Sequence, residues 1–122
     1  MSEFKIVVAG SRSFNDFELL KSSIDYLIFN LNLTPQTKLI IISGGAKGAD
    51  NLGELYGKLY GYEIEIFIPD WSIGKYAGII RNKKMAEVAD ACIVFWDGKS
   101  NGSKNMIEQC KKKGIRCDVI KF

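Results

Sequence analysis

Five short apolar runs separated by four segments of helical periodicity constrain this chain more than any other feature. Strands and helices that alternate with short connections close as an α/β domain around a parallel sheet. The runs are Phe4–Ala9, Leu39–Ile42, Glu63–Ile68, Ala91–Trp96 and Ile115–Ile120. The first, second and fourth are continuous apolar runs but for Lys5 in the first, as strands covered on both faces are. The third and fifth alternate, with Glu63 and Glu65 in one and Arg116 and Asp118 in the other, as edge strands can. The pattern predicts a doubly wound, five-stranded parallel sheet in the order 3-2-1-4-5, with helices on both faces. The 122 residues, 47% of them hydrophobic, suffice for one core, so a single domain over residues 1–122 is expected.

The helical segments carry their own signals. Asn15 with Glu18 three residues on resembles a capping box, opening a helix with an apolar face of Phe17, Leu20, Ile24, Leu27, Ile28 and Leu31. A second helix is expected to bury Leu52, Leu55, Tyr56 and Leu59 before stopping near Gly61. A third spans about Ala77–Ala89 with Met85, Val88 and Ala89 toward the core, and a fourth starts near Ser103 and buries Met106, Ile107 and Cys110. Lys111, Lys112 and Lys113 precede Gly114, where cations and a left-handed glycine end a helix, so they read as capping groups in preference to a nucleic-acid patch.

Composition removes whole classes of chemistry. The chain has no histidine, which excludes Ser-His-Asp triads, Cys-His dyads and His-ligated zinc. Cys92, Cys110 and Cys117 are odd in number and widely spaced within apolar patterns, which fits reduced thiols. No signal-peptide pattern and no apolar stretch of membrane-spanning length is present, so a cytoplasmic protein without a membrane partner is expected. A net charge of +3 is too small to argue for nucleic acid. No cofactor and no metal site is indicated.

In the predicted strand order the topological switch point lies between strands one and four, and ligands bind outside the carboxyl ends of strands there. The loop after strand two, Ser43-Gly44-Gly45-Ala46-Lys47-Gly48-Ala49-Asp50, brings three glycines to a helix amino terminus and reads as an anion cradle for the phosphate of a nucleotide. It is not a Walker A loop, since no Ser or Thr follows a Gly-Lys pair; the alternative is a tight turn without ligand. After strand one, Gly10-Ser11-Arg12 offers a sharp exit and a guanidinium fork suited to phosphate, or else an exposed loop arginine. After strand four, Trp96-Asp97-Gly98-Lys99-Ser100-Asn101-Gly102-Ser103 resembles a second anion site, with Trp96 either stacking on a base or packing in the core.

Helix three supplies the remaining candidates. Stepping back from Met85, Val88 and Ala89 by three or four residues puts Arg81 and Asn82 on the core-facing stripe. A charge there needs a partner: a ligand in the crevice, or an acid such as Asp97 or Asp50. Gly74, Lys75, Tyr76 and Gly78 make the preceding connection a candidate mobile flap.

These residues together resemble the SLOG superfamily, the Rossmann-like group that includes Lonely Guy phosphoribohydrolases and the DNA-processing protein DprA. The resemblance is carried by Gly10-Ser11-Arg12-x-Phe14, Ser43-Gly44-Gly45-Ala46-x-Gly48-Ala49-Asp50, Asp70-Trp71, Ala77-Gly78-x-x-Arg81-Asn82-x-x-Met85, Ala89-Asp90 and Phe95-Trp96-Asp97-Gly98-x-Ser100-x-Gly102. It implies a homo-oligomer and a site that holds a nucleotide. In Lonely Guy enzymes an arginine matching Arg81 works with a glutamate whose position here is Met106. Glu108 lies about 200° further round the helix and cannot easily substitute. Methionine cannot activate water or stabilise an oxocarbenium ion. The resemblance therefore implies non-catalytic binding of a nucleotide or nucleotide-derived signal, of ADP-ribose or cyclic type, with sequestration of such a signal by a phage as one form. The alternative is a nucleoside-monophosphate phosphoribohydrolase using Asp50 or Asp97; a DprA-like single-strand DNA binder is disfavoured by the modest charge.

Overall fold

The computed structural model describes residues 2–122. In chain order the elements are β1 (Glu3–Gly10), α1 (Phe17–Leu31), β2 (Lys38–Ser43), α2 (Ala49–Tyr60), β3 (Glu63–Ile66), a 3-10 turn (Trp71–Ile73), α3 (Ala77–Val88), β4 (Ala91–Trp96), α4 (Asn101–Lys113) and β5 (Arg116–Lys121). The strands form one parallel sheet in the order β3-β2-β1-β4-β5, as the strand patterns predict. β1 is central: Ile6 lies beside Ile41 of β2 on one side and Ala91 of β4 on the other.

Alternation along β1 feeds two cores. Ile6 and Val8 join Leu20, Ile24 and Leu27 of α1 and Tyr56 of α2 on one face. Val7 and Ala9 join Met85 and Ala86 of α3 and Met106, Ile107 and Cys110 of α4 on the other. Both faces being covered is why the inner stretches Ile6–Ala9, Leu39–Ile42 and Ala91–Phe95 carry no polar residue, the charges of Glu3, Lys5 and Lys38 lying at the amino ends.

At several points the local structure differs from what the residue pattern predicts. The cap of α1 is Asp16, whose Oδ1 accepts from Leu19 N at 3.0 Å, and not Asn15. On α2, Leu55 and Leu59 are exposed, and the sheet-facing side is Ala49, Asp50, Gly53, Tyr56 and Gly57. The glycines let the helix backbone settle onto Val8 and Ile64, and this rotates the leucines outward. On α3, Val88 is exposed and Ala86 takes its place beside Met85 in the core. α4 starts at Asn101 because Ser100 caps it, its Oγ accepting from Ser103 N at 3.3 Å. Gly114 ends α4 in the left-handed conformation, φ 79°, as expected. Lys113, however, reaches across to the carbonyls of Glu87 and Ala89 and so caps α3.

The close seating of α2 makes a prediction. A β-carbon at Gly53 would lie 2.6 Å from Val8 Cγ1, and Val8 has little rotamer freedom in a strand. Gly53→Ala should therefore lower unfolding free energy by about 1–2 kcal/mol in urea, although alanine favours a helix over glycine by about 1 kcal/mol. A raised midpoint at unchanged slope would mean that α2 does not rest on Val8.

Candidate functional site

The carboxyl ends of β1, β2 and β4 open onto a cavity of about 810 Å³, within the roughly 300–1,000 Å³ usual for small-ligand sites. Its walls are the three loops named from the sequence together with one side of α3 and the first turns of α4.

The loop after β1 contributes Gly10, Ser11, Arg12 and Ser13. Ser11 is buried and ties two loops together: its N–H donates to Phe95 O at 2.8 Å and its Oγ accepts from Asp97 N at 3.1 Å. Arg12 is exposed at the cavity wall, and none of the ion pairs among the described residues involves Arg12, Lys47 or Arg81. The cavity therefore presents three cations outside ion-pair distance of a carboxylate, with Asp50 in the same wall acting on Arg81 through its charge.

The loop after β2 contributes Gly44, Gly45, Ala46, Lys47 and Asp50. Gly48 lies behind it in the left-handed conformation, φ 78°, against the backbone carbonyls of Ser11 and Arg12, where any β-carbon would collide. That contact presses the amino end of α2 against the β1 loop, with Ala49 N donating to Ser11 O at 3.4 Å. No side chain caps α2; Ser11 O meets its first N–H, and Asp50 is the one acid in its first turn. Two loop N–H groups are already engaged: Gly45 N donates to Ser43 Oγ at 3.0 Å, and Ala46 N to Asp50 Oδ2 at 3.3 Å. Ser43 Oγ donates onward to Glu54 Oε2 at 2.7 Å. Ser43 and Gly48 shape the cradle and do not line the cavity.

The loop after β4 contributes Asp97, Ser100, Gly102 and Ser103. Asp97 Oδ1 accepts from Lys99 N and Ser100 N, each at 2.8 Å, and these backbone donors hold its carboxyl below the usual range. An ionised carboxylate used in this way shapes a turn and is a poor proton donor. Trp96 donates from Nε1 to Ser100 O at 3.0 Å and its ring lies under Lys121 Nζ at 5.4 Å. Neither Trp96 nor Gly98 lines the cavity.

Arg81 and Asn82 both line it, as the helical stripe implied. Arg81 is held by carbonyls and not by an acid. Nη1 donates to Gly44 O at 2.5 Å and Phe67 O at 3.5 Å, and Nε donates to Asn82 Oδ1 at 3.0 Å. Asn82 in turn donates from Nδ2 to Gly102 O at 3.1 Å and Asn105 Oδ1 at 3.0 Å, joining α3 to α4. Burial pulls the Arg81 guanidinium below its ordinary pKa, opposed by the charge of Asp50. The guanidinium is thus fixed in place before any ligand arrives, which lowers the entropy lost on binding.

The wall also includes residues that the sequence did not mark as ligand contacts: Ala9, Ser13, Pro69 and Met85, Lys47, which the glycines around it overshadowed, Met106 as a cavity-lining group, and Trp71. Trp71 opens the 3-10 turn, which Asp70 caps through Oδ1 to Ser72 N at 3.1 Å, and remains 59% exposed at the cavity lip. The pairing of Asp70 with Trp71 was the available signal, since an Asp cap fixes where the next side chain points.

Burial raises the Asp50 carboxyl to about 6 from 3.8, against the N–H of Ala46 and the charge of Arg81. Between those values the folded chain holds a proton that the unfolded chain has released. The contribution of Asp50 to stability therefore falls as pH rises from about 4 to about 6, by roughly 3 kcal/mol, and is level above. Asp50→Asn should remove that slope: the variant gains on the parent by roughly this amount between pH 4 and pH 7 in denaturant titrations. Parallel pH profiles would contradict a desolvated carboxyl.

A family model described as "YAcAr: YspA, cpYpsA-related SLOG family" matches residues 4–74, which include the loops after β1 and β2 and the Trp71 turn. The chain is 31% identical over 125 residues to the Gene 61 protein of Mycobacterium phage D29, covering 97% of this chain and 95% of that one. Its fold matches DNA processing protein A (DprA) from Streptococcus pneumoniae with a TM-score of 0.69 and 19% identity, covering 97% of this chain and 50% of DprA. The chain thus spans half the length of DprA, and the likeness at this identity carries the fold alone. No helix among the described residues is long and apolar enough to cross a membrane. On its sequence, this chain belongs to the YspA, cpYpsA-related SLOG family.

Proposed function

We propose that this protein binds a nucleotide or a nucleotide-derived signal, of ADP-ribose or cyclic type, and releases it unchanged. Membership of the SLOG family favours a nucleotide-related ligand. The observation that carries the reading is a cavity with three unpaired cations, Arg12, Lys47 and Arg81, and with buried Met106 where related hydrolases need an acid. A phosphate lies between the uncapped amino end of α2 and the two arginines, and the loop from Asp97 to Ser103 takes a second anionic or hydroxyl group. The base rests against Trp71, the aromatic side chain at the lip, and not against Trp96.

The likeness to a phage protein favours sequestration of a signal as the biological use, in a cytoplasmic setting. A homo-oligomer belongs to the same proposal, with the exposed Leu55, Leu59 and Tyr60 on α2 as available surface, and residues 1–122 act as a single binding domain. Nucleic acid is disfavoured because the charge of +3 is modest.

One observation favours a second reading, hydrolysis of a nucleoside 5′-monophosphate: Asp50 lines the cavity beside Arg81 with its carboxyl near 6, where a general acid works well. Incubation with nucleoside monophosphates, ADP-ribose and cyclic dinucleotides, followed by denaturation and chromatography of what is recovered, separates the two. Intact ligand at about one per site is expected; free base and ribose phosphate formed over many turnovers would establish the enzyme. Arg81→Ala should weaken capture by roughly 100-fold, the loss of two charge-assisted hydrogen bonds.

A further inference from the structure

The three cysteines, remote in sequence, meet at one point. Cys92 on β4, Cys110 on α4 and Cys117 on β5 have sulfur atoms all within 4.8 Å of one another, and all three are free thiols. Cys92 and Cys117 are register partners across β4 and β5, and Cys110 descends onto them from the last turn of α4. Cys92 and Cys110 are buried, and half-buried Cys117 on the edge strand is the way in. Cys92 and Cys117 are the second residues of their strands, so the cluster sits at the amino ends, away from the cavity at the carboxyl ends.

Three sulfur donors in a plane about 2.3 Å from a central ion lie about 4.0 Å from each other, so small side-chain rotations would close these three on an ion. The donor set decides which ion. The chain has no histidine, and no carboxylate joins the cluster among the described residues. The nearest in sequence, Asp118, is held by Arg116, with Nε to Oδ1 at 2.9 Å. Structural zinc takes four ligands, whereas soft thiolates in a lower coordination number select monovalent copper. We propose that Cys92, Cys110 and Cys117 form a trigonal thiolate site for Cu(I). Binding replaces the thiol protons by the ion and releases them to solvent; copper remains monovalent throughout.

The test is a titration of the reduced full chain, under anaerobic conditions, with Cu(I) supplied against a chromophoric chelator and excess glutathione. One equivalent should be captured, and Cys117→Ser should weaken capture by at least roughly 100-fold. Cys117 is half-buried on an edge strand, so that variant keeps the fold, which circular dichroism checks; Cys92→Ser gives the same loss if it folds. Capture well below one equivalent, unchanged capture by Cys117→Ser, or Zn(II) held as firmly as Cu(I) would each overturn the site.

Discussion

The structure depends on the burial of β1 between two helical layers. Ile6, Val7, Val8 and Ala9 alternate between the two cores and are almost wholly removed from water, so the register of the central strand cannot slip by one residue without reversing both faces. With β1 locked between β2 and β4, the three strands run in parallel to one edge of the sheet, β2 stopping level with Val8 and β4 one residue past Gly10. The loops that follow them must then meet above the sheet, and that meeting makes the cavity.

What converts a meeting of loops into a site is a set of short links between them. Ser11 bonds to Phe95 and Asp97, Gly48 rests on the carbonyls of the β1 loop, and Arg81 reaches from α3 to Gly44 and Phe67. Each link joins elements distant in sequence, and each uses a backbone group on at least one side. The arginine satisfies its hydrogen bonds with carbonyls and an amide, and no acid forms a direct ion pair with it, although Asp50 stands near. A cationic group fixed by neutral acceptors keeps its charge available to an incoming anion.

The sheet order was legible because the difference between covered and edge strands is written in each strand's own residues. Arg81 was legible for a similar reason: helical arithmetic from Met85 places it on the stripe facing the strand ends. The phase of α2 was not, because leucines at Leu55 and Leu59 advertise a core face that the glycines override, and the override depends on how close Val8 and Ile64 stand. Trp71 and Trp96 divided roles for a reason equally remote from local pattern. The ring of Trp96 is tethered to Ser100 and covered by Lys121, whereas the path of the chain after β3 carries Trp71 over the cavity. The convergence of the cysteines was hidden in the same way, since it requires the β4–β5 register and the rotation of α4 together.

The central claim is that the cavity recognises a phosphate through the amino end of α2, Arg12 and Arg81. The most direct test is calorimetric titration with a nucleoside 5′-monophosphate and with the same nucleoside lacking the phosphate. Recognition centred on the anion predicts at least roughly 100-fold tighter binding of the phosphorylated ligand, and a difference that shrinks as salt is raised. Equal affinities for the two, or tighter binding of the unphosphorylated nucleoside, would contradict it.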